Sequence, residues 1–550
     1  MPNYHVGKRG SLSVVSSTAT AALKRPSLGS SLLVLTTDLT DTEVQAHSGF
    51  PGTKIVPQRV LTGLSTRNRN PATIAWGANG FLDANSDLTG GKYGAVYSAI
   101  LKRYVIQNQN FRASAPGVPA FRAGVQYNAT VTLPLMFLNC NFQGWGRDVD
   151  NQAVAVVSGS GSCDWRFDEC AWYPLYSYTA PPVGITAGFP GLAINSVSGA
   201  YLETNHCEFN FVAGVRLDGW NPTAFTATGY ARPFQMRHSK YRNVDCRKHD
   251  VNGVWFPQTD TSAFFASGAI TILNCFNMPA PLVEYTDIEN DPKTGARSED
   301  AVSVYNSFFP DGQEFRYRYF RHKNLLTYDP LYTGSQQYIL RRADASRISF
   351  SGTSGNLGDG VCYPNTTYKW SSNNLTADMF PHGVIFENGV IVNAAHFGMG
   401  FSSGNRMTAR NVALVSPGAI RSSHPSGYSV IFASATEGSA PYTAWDFVQP
   451  GGYDSTYPAA GDSRYFYGHV MDNVLIGWFK VLDVAAQTVT PVGPYIPNTV
   501  SQASMSYVNT PATPATPASI LAALDYVDGV ENGWIGTIAS AAGSAIGCTG

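Results

Sequence analysis

The chain is poor in charge. Asp, Glu, Lys and Arg make up 14% of its 550 residues and nearly cancel, leaving a formal net charge of −1. Soluble domains ordinarily carry about 25% charged residues. A near-neutral total gives no bulk attraction to nucleic acid or to an anionic membrane. No apolar run is long enough to span a bilayer, so membrane insertion is not expected. The opening MPNYHVGKRGSLSVV lacks the apolar stretch of a secretory signal. None of the 8 cysteines forms a CxxC pair, which leaves a cysteine-based metal site without support. The nucleophile-elbow, phosphate-loop, zinc-protease and dinucleotide motifs are also absent in their required contexts, so no cofactor is expected. What is plentiful is glycine (53), proline (33) and aromatic residues (12%). Together with abundant Ser, Thr and Asn, this suits many short strands joined by turns.

Four cysteines and two serines carry a spacing pattern. Cys140, Cys170, Cys207, Ser239, Cys275 and Ser307 follow one another roughly every 30–40 residues. Each is preceded by Asn139, Glu169, His206, His238, Asn274 or Asn306. Apolar residues recur five and three positions before, as in Leu135 and Phe137, Trp165 and Phe167, Ile270 and Ile272, Val302 and Val304. Aromatic residues recur two positions after, as in Phe142, Trp172, Phe209 and Tyr241. Alternation on a strand puts each pair on one face, yet the two pairs differ by an odd number of residues. A register break must lie between them. Asn at 139, 274 and 306 tolerates the left-handed conformation such a bend needs. The frame returns at Asn388-Gly389, Asn411-Val412 and Asn473-Val474.

Two short strands joined by an Asn bend, once per repeat, predict an all-β stacked repeat. The stretches LMFLNCNF, WRFDECAW, FQMRHSKY, ITILNCFN, VSVYNSFF and VIFENGVI resemble the right-handed parallel β-helix of pectate lyase-like proteins, phage tailspikes included. The resemblance covers roughly residues 130–480. It implies a solenoid whose six pattern residues stack in one inward column as small buried groups. A disulfide between Cys163 and Cys170 stays open as an alternative. The resemblance further implies a homotrimeric virion spike or fibre that touches a host surface polysaccharide. A polysaccharide hydrolase or lyase, and a purely structural capsid or collar part, are the rival expectations. A chain of extracellular composition without an export signal fits release by lysis, as for a virion component.

Residues 1–65 are basic, polar and weakly periodic, and read as an arm that anchors the chain to other virion proteins. Residues 66–130 read as a cap, with a helix expected over Tyr93–Ile106. The repeat body is placed at 131–480 and a linker with a small tail at 481–550. There the run TPATPATPA precedes a helix expected to start at Ser519. The terminal IGTIASAAGSAIGCTG is read as packing on the body or on a partner chain.

Three groups are candidates for chemistry. Asp168 and Glu203 fall on consecutive repeats in outward positions. Strand geometry puts their backbones about 8 Å apart, within reach of both sides of a glycosidic bond. They are the expected catalytic carboxylates; plain solvation, or an ion pair with Arg166 or Arg237, is the competing reading. Glu284, Asp287, Glu289 and Asp291 read as a solvated acidic loop between Cys275 and Ser307. Arg237, with Arg316 and Arg318 alternating with Tyr317 and Tyr319, suggests a glycan-binding surface with one charged and one aromatic face. Ion pairing of these arginines to the acidic loop is the competing reading.

Overall fold

The structure is a computed structural model that describes residues 4–7, 31–35, 53–56, 68–99, 101–115, 118–123, 131–144, 155–158, 164–175, 183, 192–195, 201–218, 234–245, 251–253, 268–273, 275, 280–290, 300–305, 309, 312–323, 359–362, 382–392, 399–401, 405–417, 429–431, 445–447, 469–479, 500–502, 505–510 and 538–548. The protein is all-β, with most described residues in strands. Among the described residues helix is confined to short turns such as Asn85–Thr89. Among the described residues no helix is long and apolar enough to cross a membrane.

Strands follow one another in tiers. A tier begins with a strand such as Leu135–Leu138, continues with Asn141–Gly144, and ends with Ala155–Ser158. Each strand pairs in parallel with its counterpart in the next tier: Leu135 faces Trp165, Phe142 faces Trp172, and Ala155 faces Leu192. The first two strips belong to one large sheet and the third to a second sheet. From Phe315–Lys323 to His469–Phe479, one long strand spans both halves of the first sheet, and the last tier is again two strands, Val500–Gln502 and Met505–Thr510. Parallel pairing starts at Gly80–Leu82 and Arg103–Gln107 and reaches Met505–Thr510, beyond 131–480 on both sides. Within residues 1–65, Tyr4–Gly7, Ser31–Leu35 and Thr53–Val56 form a separate three-stranded sheet.

The expected register break is present in ten successive tiers of the first sheet, from Asn108 to Asn473. Asn108, Asn139, Glu169, His206, His238, Tyr285, Tyr319, Asn388, Asn411 and Asn473 all have φ between 49° and 59°. One left-handed residue inverts the alternation, so apolar side chains before and after it both enter the core. Ring columns result. Phe137 stacks on Phe167 at 5.0 Å, and Phe142, Trp172, Phe209 and Tyr241 form a continuous stack with spacings of 5.2, 4.4 and 4.8 Å. Each such pair contributes about 0.5–1.5 kcal/mol beyond simple burial.

The pattern column needs correction. Cys140, Cys170, Cys207 and Ser239 do stack, and each thiol donates to a carbonyl of the preceding tier. The next member is Thr286, set by the pairings Arg237–Glu284 and Lys240–Asp287, and then Phe320. Cys275 instead follows Ile270–Leu273 in the second sheet, with Ile270 opposite Val302. Ser307 lies outside the described residues. The third strip also alternates apolar residues and ends on Asn, so the local frame alone does not tell the strips apart. Cys170 is a free thiol, not half of a disulfide.

Two further expectations are revised. Tyr93–Ile106 is not helical: Val96–Ser98 and Arg103–Gln107 form an antiparallel pair, with left-handed residues at Tyr93 and Lys102. The Tyr, Val and Ile of this stretch prefer strands, and Leu135–Leu138 offers them an edge to join. The acidic stretch is not a loop. Leu282–Glu284 and Asp287–Glu289 are strands inside the first sheet. The helix expected from Ser519 lies outside the described residues.

Burial pushes the Cys170 and Cys207 thiols well above their ordinary range, and the bond to the thiol of the preceding tier raises each further. Native alkylation at pH 8 with peptide mapping should therefore label the half-exposed Cys548 and spare Cys140, Cys170, Cys207 and Cys275 until denaturant is added.

Candidate functional site

The outer face of the first sheet changes character along the tiers. In early tiers it is covered. Val105, Met136 and Leu138 are buried with Leu101 beside them, and Ala171 and Tyr173 pack with Ile74 and Trp76. Further along, the same face is occupied by charge.

Asp168 and Glu203 belong to the covered part. Asp168 is fully buried and Glu203 is 6% exposed, so the exposure expected for a catalytic pair is not found. Register places Glu203 opposite Arg166. Arg166 binds both carboxylates, Nε at 2.9 Å from Asp168 and Nη1 at 3.4 Å from Glu203. The Tyr201 hydroxyl donates to Glu203 as well. Burial acts to lower the Arg166 pKa, but Asp168, Glu203 and Tyr201 outweigh it and the guanidinium is held firmly charged. Burial, then Glu203, pushes the Tyr201 hydroxyl up, so it stays a donor. The arrangement is a buried ion cluster that ties consecutive tiers together.

The charged part spans three tiers. The first carries Arg237, Lys240 and Arg242, the second Glu284, Asp287 and Glu289, the third Arg316, Arg318, Arg321 and Lys323. The acidic tier lies between two basic ones and is paired to both. Arg237 and Arg318 bind Glu284 at 3.1 and 2.9 Å. Arg242 and Arg321 bind Glu289, and Arg321 also reaches Asp287 at 3.2 Å. The ladder continues upward through Glu387, Arg410 and Asp472, with Arg316 bound to Glu387 at 3.4 Å. Alternation follows from register: like charges on adjacent parallel strands would sit about 4.8 Å apart.

The pairing does not neutralise the band. On the strands of these three tiers seven Arg and Lys face three carboxylates, and with Glu387, bound to Arg316, and Glu208, in register with Lys240, an excess of two positive charges is left in a chain whose total is −1. Arg316 is 39% exposed, and Arg318 and Arg242 are each 31% exposed, against 17% for Arg166. Lys240 is half-buried and lies in register between Glu208 and Asp287.

The aromatic half of the expected surface divides. Tyr317 faces inward and is fully buried; it stacks on Phe320, and its hydroxyl reaches Thr286 at 2.8 Å and His322. It cannot touch a glycan. Tyr319 is the left-handed residue of its tier. It is half-buried, stacks on Tyr285 at 4.7 Å, and lies beneath the Arg318 guanidinium at 5.4 Å. The bend between Tyr317 and Phe320 breaks the simple alternation on which the two-faced strand was predicated. Arg232, Arg247, Arg341, Arg342 and Arg347 lie outside the described residues. Among the described residues no three His, Cys, Asp or Glu side chains are grouped to hold a metal ion.

Two outcomes are expected. Asp168→Ala should cost about 1.5–3 kcal/mol in chemical denaturation, since it removes a buried charge-assisted bond to Arg166 while Glu203 still pairs with the guanidinium. Glu289 tests the acid side. Burial alone would raise its pKa, but Arg242, Arg321 and Lys323 bring it below the ordinary glutamate value. Its stabilising contribution is complete above that value and fades as pH falls through the lowered one. Glu289→Gln should therefore flatten the acid limb of a Tm-against-pH curve.

Compared with known proteins, the chain matches no family model, no curated protein and no solved structure.

Proposed function

We propose that the chain is a right-handed parallel β-helix serving as a bacteriophage spike or fibre, whose cationic band adsorbs to an acidic polysaccharide on the host surface. The observation that carries the binding reading is the local excess of positive charge on the outer face, with Arg316, Arg318, Arg242 and Lys240 at its more accessible positions and Arg237 more deeply set beside them. Because the acidic tier intervenes, cations of one column recur on every second tier, about 9–10 Å apart, which gives a repeating polyanion evenly spaced partners. Guanidinium groups suit carboxylate and sulfate oxygens because their donors form a fixed fork. The proposal includes a homotrimer held in the virion, with residues 1–65 as the contact to other virion proteins. Neither nucleic acid nor a membrane is a partner in it. Asp168 and Glu203 have no hydrolytic part here, because Arg166 occupies both and neither reaches the surface.

The test is binding of dextran sulfate and polygalacturonate, with neutral dextran as the control. The wild type should bind both acidic polymers, more weakly as salt shortens the screening length. Removing two partly exposed cations in Lys240→Ala/Arg316→Ala should weaken binding about tenfold, at roughly 0.5–1 kcal/mol per charge. Tyr317→Phe should bind as the wild type does. Equal affinity of the double variant, or no preference for acidic over neutral polymer, would remove the band from the function.

A further inference from the structure

The C-terminal residues 538–548 return to the first sheet and lie along its bend column. Asn411 Nδ2 donates to the Ile538 carbonyl at 3.0 Å. The Ser544 hydroxyl meets the Tyr285 hydroxyl at 3.2 Å. Gly547 N–H donates to the Tyr319 carbonyl at 2.9 Å, and Cys548 N–H donates to Asp287 Oδ1 at 3.0 Å. The segment therefore reaches the two charged tiers that hold Asp287 and Arg321. Its end is a close fit: Gly547 has φ +79°, and a Cβ there would overlap Asp287 Oδ1 and press on the Arg321 side chain at 3.3 Å.

The attachment is thin. Of residues 538–548 only Ile538 and Gly547 are buried, and Ser540, Ala541, Gly543 and Ala545 are exposed. The polar contacts above are made mostly by backbone groups, and the segment brings no charged side chain. Segments with few buried apolar contacts open at low free-energy cost. Asp287, which the tail grips, is the carboxylate that engages Arg321 at 3.2 Å and Arg242 at 3.9 Å. Cover and cations thus share one anchor.

We propose that residues 538–548 form a displaceable strap over the middle of the cationic band, which a polyanion must lift to occupy all three charged tiers. This inference rests on the glycan reading above and adds its regulation. An acidic polymer competes for Arg242 and Arg321, weakens their hold on Asp287, and so loosens the carboxylate to which Cys548 is bonded. The strap in turn lowers the affinity of the closed form by the cost of opening it.

The experiment compares the full chain, a chain ending at Thr537, and full-length Gly547→Ala. Each is first checked for an unchanged circular-dichroism spectrum. Dextran sulfate should bind the truncated chain about five- to tenfold more tightly, with Gly547→Ala between it and the wild type. Dextran sulfate should also speed proteolytic clipping of the wild-type C-terminus, read by intact mass, while neutral dextran should not. Should truncation unfold the protein, Gly547→Ala and the clipping assay decide. Equal affinities with unchanged clipping would overturn the strap and leave the glycan reading standing. Absence of binding by every form would overturn both.

Discussion

Ten successive tiers each hold one non-glycine residue at φ near +50°, and every other feature of the first sheet follows from that backbone state. The left-handed conformation costs an ordinary residue about 1–2 kcal/mol. Contacts between tiers offset it. Asn139 bonds Asn108 at 2.8 Å, Asn411 bonds Asn388 at 2.8 Å, and Asn473 bonds Asn411 at 2.9 Å. Where Asn is replaced, rings do the same: His206 on His238, His238 on Tyr285 and Tyr285 on Tyr319, all 4.7–4.8 Å apart. Backbone bonds such as His206 N–H to the Arg237 carbonyl close each bend onto the next tier. The strained residue is thus held by its equivalents on either side.

The same stacking that favours rings in the core penalises charge on the outside. In-register strands place each side chain beside its counterpart, so a column of one sign would repel itself at every step. Arg237, Glu284, Arg318, Glu387, Arg410 and Asp472 alternate along one column, and Lys240, Asp287 and Arg321 along another. Exposed pairs of this kind contribute little stability singly. Their arrangement keeps a dense charged face compatible with a regular stack while leaving a positive surplus. Buried Arg166 serves a different end, joining Asp168 and Glu203 where covering residues exclude water.

The fold was legible where chemistry is local. Asn139, Asn388, Asn411 and Asn473 advertise the bend, and the odd offset between apolar pairs requires it. Glu169, Tyr285 and Tyr319 adopt the same backbone without any such signal, because neighbouring tiers enforce it. That is why the column could be followed to Ser239 and then passed to Cys275 in the wrong sheet. The frame LVEYTDI held the next member, but nothing in it resembles NC or NS. The candidate site was harder. Outward parity was read correctly for Asp168 and Glu203, yet what lies over an outward position is set by segments distant in sequence. Arg237, Arg316 and Arg318 were found from charge alone. Their intervening acidic tier carries a loop-like composition, because Asp, Glu and Asn are depleted in strands.

Chain length and tier geometry are uncoupled. The bend residues Asn108 and Asn139 are 31 positions apart, Asn388 and Asn411 are 23 apart, and Asn411 and Asn473 are 62 apart, yet all three pairs make the same amide bond. The connecting chain can lengthen nearly threefold without altering the spacing it spans. Such a scaffold is a natural receiver of grafts: a foreign peptide spliced between third-strip strands and the next tier would be displayed at a fixed height, with the closure entropy of the longer loop rising only logarithmically.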